Sequence, residues 1–346
     1  MKKLVIIGGG FAGAKIAKTL EKEFETTLID TKDYFEFTPG ILRAIVSPTH
    51  LKKIQVKHSK YLSKTKIIKS KIIELNKKEI LTNEKEILPY DFLAICSGSK
   101  YSSPIKKENI LIVSRGEEIK KYHKKISQSK NISIIGGGIV GVELAAEIAE
   151  NFPEKSLTIV HQNQILIPRN HKKSSKISKQ FLGNKNVKII FGEKAIKKSE
   201  HFLETNKGTK IKSDIIFICT GIKPNSQFMI PKMKEKLNEK EFIKVNKFLQ
   251  VENEQNIFAI GDVNSILVEK TAQNAEKQAS IAIKNILALN NNQQLKEYQT
   301  KKRPMVISLG KWNGIFEYKN LAFGGILPAF MKWFVEKKTI IKYNNQ

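Results

Sequence analysis

Two runs of glycine carry the first chemical signal in this chain. Gly8-x-Gly10-x-x-Gly13 and Gly136-x-Gly138-x-x-Gly141 each follow an apolar run and open a stretch with helical periodicity. At this spacing the first glycine permits a sharp turn, the second leaves room for an anion, and the third lets helix and strand approach. The free N–H groups and dipole of the helix N-terminus then favour a pyrophosphate. Phe11, Ala12 and Val140 occupy first-turn positions between the glycines and join them as candidate cofactor-binding residues. A carboxylate at the end of the following strand can accept from ribose hydroxyls, and Asp30 stands there after Thr27–Ile29. In the second run the matching position is His161, after Leu157–Val160. An acid there favours NAD and an arginine NADP. With neither present, NADH and NADPH both stay open.

Three further signals fit the same chemistry. YDFLAICSGS (90–99) echoes SDIIFICTGIKPN (213–225), so Ser97–Gly98 and Thr220–Gly221 end strands where backbone can approach a nucleotide. Gly261–Asp262, after NIFAI, offers a carboxylate for a ribityl hydroxyl and N–H groups for phosphates. Glu143, two residues after Gly141, can meet the ribose or amide of an incoming nicotinamide. No His/Cys cluster has metal-ligand spacing, so no metal is expected. Cys96 and Cys219, the only two cysteines, sit in apolar runs and form no CxxC. That disfavours disulfide chemistry and suits a reducing compartment, here the cytoplasm.

The elements that must position these residues repeat. KLVIIGGGFAGAKIAKTL (3–20) matches NISIIGGGIVGVELAAEI (131–148), and each continues into a second apolar strand. The fold expected is α/β, with two Rossmann-like, doubly wound domains, the second inserted in the first. Boundaries read as 1–112 plus 247–298 for an FAD-binding domain and 113–246 for an NAD(P)H-binding domain. Residues 299–346 form a C-terminal segment of two strands (305–309 and 314–319) and an amphipathic helix after Pro328. A helix over 273–289 precedes a linker at 290–294.

Both glycine units, both strand ends and GDV resemble the two-dinucleotide flavoprotein reductases over most of residues 1–265. Within them, KDYFEFTPGILRAIVSPTHLKKIQVKHSKYL (32–62) and ISLGKWNGIFEYKNLAFGGILPAFMKW (307–333) are similar to the ferroptosis-suppressor branch, also called apoptosis-inducing-factor-like mitochondrion-associated proteins. AQNAEKQA (272–279) resembles the quinone-site helix of type II NADH dehydrogenases. The resemblance implies an FAD-dependent NAD(P)H:quinone oxidoreductase. It places Thr38, Pro39 and Gly40 by the flavin, Gln273 and Glu276 on the quinone side, and Lys337 as a functional lysine near the flavin, with Lys338 competing for that role.

Sixty-one basic against 33 acidic residues give a net charge of +28, nearly all of it lysine. Arginine forks for base reading are scarce, so no specific nucleic-acid partner is expected. The start of the chain suggests no signal peptide and no myristoylation glycine, since Lys2 follows Met1. No run reaches the ~20 apolar residues that span a bilayer. Phe330, Trp333, Phe334 and Lys337 share helical spacing, which suits peripheral docking on an anionic membrane surface. Internal packing or a homodimer would use the same face. Two other functions fit the motifs: a soluble reductase serving ferredoxin- or rubredoxin-type acceptors, and a nucleotide-controlled redox-sensing binding protein.

Overall fold

The structure, a computed structural model, describes residues 1–101, 110–112, 118–198 and 202–344. Two five-stranded parallel sheets form its framework. The first runs in the order Ile257–Ala259, Phe92–Ile95, Lys3–Ile7, Glu25–Asp30, Lys66–Lys69. The second runs Ile110–Ile112, Ile215–Ile218, Asn131–Ile135, Ser156–His161, Lys188–Phe191. The echo seen in the sequence is therefore a repeat of strand order. The interior strands Phe92–Ile95 and Ile215–Ile218 are buried at every position, as parallel strands covered on both faces must be. Each unit also has a separate antiparallel three-stranded sheet, within 72–89 in the first and 195–212 in the second.

Ile110–Ile112, grouped with the first unit in the sequence reading, pairs in register with Ile216–Ile218 of the second sheet. Residues 113–117, where the expected domain boundary falls, lie outside the described residues. Phe228, Met229, Met233 and Ile243, grouped with the second unit, pack instead with Val5, Ile7 and Val251 in the core of the first. A short antiparallel ribbon, Ser99–Tyr101 with Ile222–Pro224, joins the two units. At its base Ser97 Oγ donates to Asn225 O at 2.6 Å, and Asn225 Nδ2 donates to Ser97 O at 2.9 Å.

The C-terminal segment has three strands rather than the two expected: Met305–Leu309, Asn313–Tyr318 and Leu321–Gly325, an antiparallel meander. The helix Ile326–Asn344 follows it directly. Its inward face is Pro328, Glu336, Ile340 and Tyr343. Tyr343 is fully buried, its ring 4.4 Å from Phe35 and 4.8 Å from Tyr61, in the core of the first unit. The helix Ala272–Asn290, capped by the Thr271 side chain, packs along the first glycine helix, Phe11–Leu20.

The two turns share one steric device. A Cβ on Gly13 would stand 1.8 Å from Gly8 O, and a Cβ on Gly141 would stand 1.8 Å from Gly136 O. Backbone on backbone has no flexible end to move aside. Gly13→Ala and Gly141→Ala are each expected to destabilise the fold by about 3 kcal/mol or more, the range of severe overpacking. Urea unfolding at equilibrium checks this; a loss below about 1 kcal/mol in both variants would refute the contact.

Candidate functional site

The candidate residues gather at the carboxyl ends of the parallel strands, where ligands bind in open α/β sheets. In the first unit, Gly8 follows Ile7, Asp30 ends its own strand, Ser97 and Gly98 follow Ile95, and Gly261 and Asp262 follow Ile257–Ala259. In the second, Gly136 follows Ile135, His161 ends its strand, and Thr220 and Gly221 follow Ile218. Gly8 (φ +96°) and Gly136 (φ +110°) take left-handed backbone in the same place.

Both glycine helices begin without a side-chain cap. Gly10 and Gly138 are the N-caps, both extended, and no acid lies in either first turn. A helix start leaves four N–H groups unbonded, and side chains normally meet some of them. Here they are left for a ligand, and an anion is the ligand that suits them. A Cβ on Gly10 or on Gly138 would meet no protein atom within 4 Å, so each turn keeps an open space above its helix. This cradle fits the pyrophosphate of a dinucleotide in both units. Phe11 and Ala12 are buried, and the Phe11 ring packs edge-on against Phe35 and Phe37. Only their backbone is left for a ligand. Val140 is partly buried against the same core.

Asp30 Oδ2 accepts from the Gly9 N–H at 2.5 Å, so the acid reaches the middle of the first turn. Behind it lies His58, fully buried, whose Nδ1 meets Tyr61 Oη at 2.5 Å and whose Nε2 has no hydrogen-bond partner. Burial, opposed by the Asp30 charge, pushes the His58 pKa down and keeps the ring neutral. Asp262 sits on the one-turn helix Gly261–Val263 and accepts from Ser99 Oγ at 3.0 Å. The Gly261 N–H donates to Gln278 Oε1 at 2.7 Å, and Asn264 Nδ2 donates to the same oxygen at 2.8 Å. Gln278 is thus the support of the Asp262 turn, a role the sequence reading missed. It lies in the AQNAEKQA stretch two residues from Glu276. Ser97 is spent on the interdomain ribbon described above.

A narrow cleft opens where the two units and the C-terminal segment meet. Pro39 and Gly40 come from the turn Thr38–Gly40, Glu143 and Glu147 from the second glycine helix, Ser308 from the C-terminal meander, and Lys332 and Glu336 from the C-terminal helix. Glu143, Glu147 and Glu150 share one helix face at spacings of four and seven. Glu143 accepts from the Ser308 N–H at 2.7 Å and is ion-paired with Lys332. Glu147 pairs with Arg43 at 3.0 Å, and Glu150 accepts from the Lys311 N–H at 2.6 Å. Arg43 Nη2 also donates to Gly310 O at 2.9 Å. Burial pushes the Glu147 pKa up, against the pull of Arg43. His50 meets Glu336 at 3.3 Å along the wall.

Lys332, then, is the lysine of the cleft. Lys337, expected near the flavin, is exposed about 140° further round the helix, and its neighbour Lys338, also exposed, lies about 240° round. Gln273 is exposed and donates to Pro304 O at 3.1 Å; Glu276 pairs with Lys342 at 3.2 Å. Neither lines the cleft. Cys96 and Cys219 are buried in different sheets; burial raises both thiols, that of Cys219 to about 12. Neither is a thiolate at neutral pH. No group of metal-ligating side chains occurs among the described residues.

Comparison with known proteins places these features in context. The family described as pyridine nucleotide-disulphide oxidoreductase matches residues 2–279. The chain is 32% identical to apoptosis-inducing factor homolog B of Dictyostelium discoideum, covering 91% of this chain and 89% of that one. It is 30% identical to ferroptosis suppressor protein 1 of Mus musculus, covering 95% and 92%. Its fold is similar to that of the sulfide:quinone oxidoreductase of Aquifex aeolicus, with TM-score 0.87 at 18% identity over 100% of this chain and 92% of that one. It is also similar to NDH2 of Plasmodium falciparum solved with NADH, with TM-score 0.81 at 16% identity over 100% and 99%.

The open space over each turn gives a prediction distinct from the steric one. Gly10→Ala and Gly138→Ala should leave urea stability within about 0.5 kcal/mol, since both glycines hold φ values that alanine adopts. Each should weaken dinucleotide binding at its own turn about tenfold or more by filling the space over the helix. Calorimetric titration with FAD for the first variant and NAD⁺ for the second checks this, and unchanged affinity in both would refute the cradle.

Proposed function

This chain belongs to the pyridine nucleotide-disulphide oxidoreductase family, and we propose that it is an FAD-dependent NAD(P)H:quinone oxidoreductase. The observation that carries this reading is the cleft in which Pro39–Gly40, Glu143 and Lys332 meet beneath a helix whose outer face is apolar. When bound, FAD supplies an isoalloxazine that takes a hydride from the reduced nicotinamide and passes two electrons to the acceptor.

The chain's own residues hold and orient. The uncapped N-terminus at Gly10–Gly13, with Asp30 and Asp262, holds FAD by pyrophosphate, ribose and ribityl groups; Gln278 keeps the Asp262 turn in shape. Gly136–Gly141 holds the pyrophosphate of the nicotinamide nucleotide, and His161 meets its adenosine ribose. Glu143 accepts from the nicotinamide carboxamide or ribose, and its ion pair with Lys332 keeps that side chain aimed. Thr38–Pro39 brings backbone to the isoalloxazine side of the cleft. With both thiols buried and protonated, the disulfide exchange that gives the family its name has no dithiol here. Gln273 and Glu276 stay on the acceptor side in this reading as supports of the Ala272–Asn290 helix.

A quinone is the acceptor that suits the C-terminal segment. Ile326, Leu327, Phe330, Trp333 and Phe334 are 66%, 57%, 58%, 47% and 53% exposed, a broad apolar face on the helix that closes the cleft. Lys337 and Lys338 flank it. Trp333 also lines the cleft, so the apolar face and the cleft are continuous. No helix among the described residues is long and apolar enough to cross a membrane. Peripheral docking on an anionic lipid surface fits such a face, each large side chain contributing roughly 1.5–3 kcal/mol at full burial. A second copy of the chain is the rival occupant.

Two measurements test the reading. The purified protein with FAD should show a visible flavin spectrum, bleached anaerobically by NADH or NADPH and restored by a short-chain quinone; persistence of the oxidised spectrum would end it. Glu143→Gln should lower kcat/KM for the nicotinamide nucleotide tenfold to a hundredfold, about the 1.5–3 kcal/mol of a charged hydrogen bond. Separately, replacing Phe330, Trp333 and Phe334 by serine should cut co-sedimentation with anionic vesicles about tenfold or more without loss of stability. Unchanged sedimentation would refute docking through this face, and a shift in gel-filtration size would assign it to a second copy.

A further inference from the structure

Three carboxylates line the cleft, and they differ in what stands behind them. Glu143 is ion-paired with Lys332 and Glu147 with Arg43, side chains that keep their protons at neutral pH. Glu336 faces His50 instead, with Oε2 3.3 Å from the ring Nε2. Imidazole is the side chain suited to gaining and losing a proton near neutrality. Both residues are buried, and each side chain keeps 10% of its surface open. Glu336 lines the cleft and His50 does not, so the pair runs from the cleft wall into the body behind it.

The pair is seated on the turn Thr38–Gly40. A Cβ on Gly40 would stand 3.1 Å from Glu336 Oε2, 3.4 Å from His50 Nε2 and 2.9 Å from Ile54 Cγ2. A side chain there would press on both partners, and glycine leaves the contact room to close. His50 ends the one-turn helix Pro48–His50, and Glu336 belongs to the last helix. The contact therefore joins the first unit to the element that closes the cleft.

We infer that the Glu336–His50 pair delivers to the acceptor the one proton that the nicotinamide does not supply. This rests on the quinone reading of the cleft. A reduced nicotinamide gives up a hydride, which is two electrons and one proton. A quinone becomes a quinol by taking two electrons and two protons, one on each carbonyl oxygen. The second proton must come from water. Held between His50 Nε2 and Glu336 Oε2, it passes to the acceptor oxygen through Glu336, and His50 takes its replacement from water.

The other charges around the pair are engaged or point away. Arg43 and Lys332 hold the neighbouring carboxylates. Lys52, Lys53, Lys57 and Lys337, on the adjoining elements, are exposed. The helix Glu118–Gln128, which also packs against Pro48–His50, buries Ile119, Tyr122 and Ile126, and its His123 lies against Phe152. Glu317, on the meander beneath the last helix, accepts from the His171 N–H and from Ser174.

The test uses the FAD-loaded full chain, reduced by NADH without oxygen and then mixed with a short-chain quinone or with ferricyanide. Ferricyanide takes electrons and no proton. His50→Gln and Glu336→Gln keep size and polarity but cannot relay a proton, and either alone carries the test. Each should slow reoxidation by quinone about tenfold to a hundredfold while reoxidation by ferricyanide stays within about threefold, since a placed general acid is lost and the electron path is not. Ring-nitrogen NMR of the oxidised protein gives a readout apart from turnover. The histidine signal missing from His50→Gln should shift in Glu336→Gln, and in wild type on adding the quinone. Equal slowing with both acceptors would assign the pair a structural role and overturn the inference. Unchanged quinone rates in both variants, or a His50 signal indifferent to quinone, would also overturn it. Wild-type protein that ferricyanide reoxidises and quinone does not would instead remove the quinone reading beneath it.

Discussion

The close approach of Gly13 to Gly8, repeated at Gly141 and Gly136, is the constraint on which the rest of the molecule depends. It turns each first strand directly into a helix whose leading N–H groups have no cap. Because every strand in each sheet is parallel, the other candidate residues emerge at the same edge. Asp30, Asp262 and the Ser97–Gly98 backbone need no separate positioning device: strand direction delivers them. The Cβ of any other residue at position 13 or 141 would force strand and helix apart and scatter that edge.

The second organising feature is the acidic face of the helix Ile139–Asn151. Three carboxylates in two turns would repel one another in isolation. Each instead receives a partner from elsewhere: Ser308 and Lys332, Arg43, and the Lys311 backbone. One helix of the second unit thus holds the first unit and the C-terminal meander to itself. Such pairs are weak evidence for stability, because desolvation offsets much of the attraction. Their stronger effect is on register, since each carboxylate accepts from a different element and no slid arrangement satisfies all three.

The parts legible in the sequence were those where residue type is forced by geometry. Only glycine fits the two turns, so their spacing alone specified strand, helix and binding edge. Residues whose identity is permissive were less legible. Ile110–Ile112 is a three-residue apolar strand and carries no mark of which sheet it joins. Leu321–Gly325 ends in two glycines, which argue against a strand. Gly324 is there because a Cβ would stand 2.8 Å from Ile177 Cγ2. In the last helix, the periodicity of Phe330, Trp333 and Phe334 marked a face without saying whether it points in or out. The inward face is half polar because charged side chains line the cleft it closes, so periodicity did not mark Lys332, and Lys337 had been placed by the resemblance alone. Gln278 could not have been identified without knowing that the Asp262 loop folds back over its helix.

Tyr343 gives the last helix a property that its outer face alone would not suggest. The helix is gripped near one end by Glu143 and at the other by the rings of Phe35 and Tyr61. It is a strut rather than a tether. Whatever surface covers its aromatic side receives the whole molecule at one fixed tilt, with the mouth beside Trp333 always facing the same way. Diffusion over that surface becomes a search in two dimensions with orientation already solved.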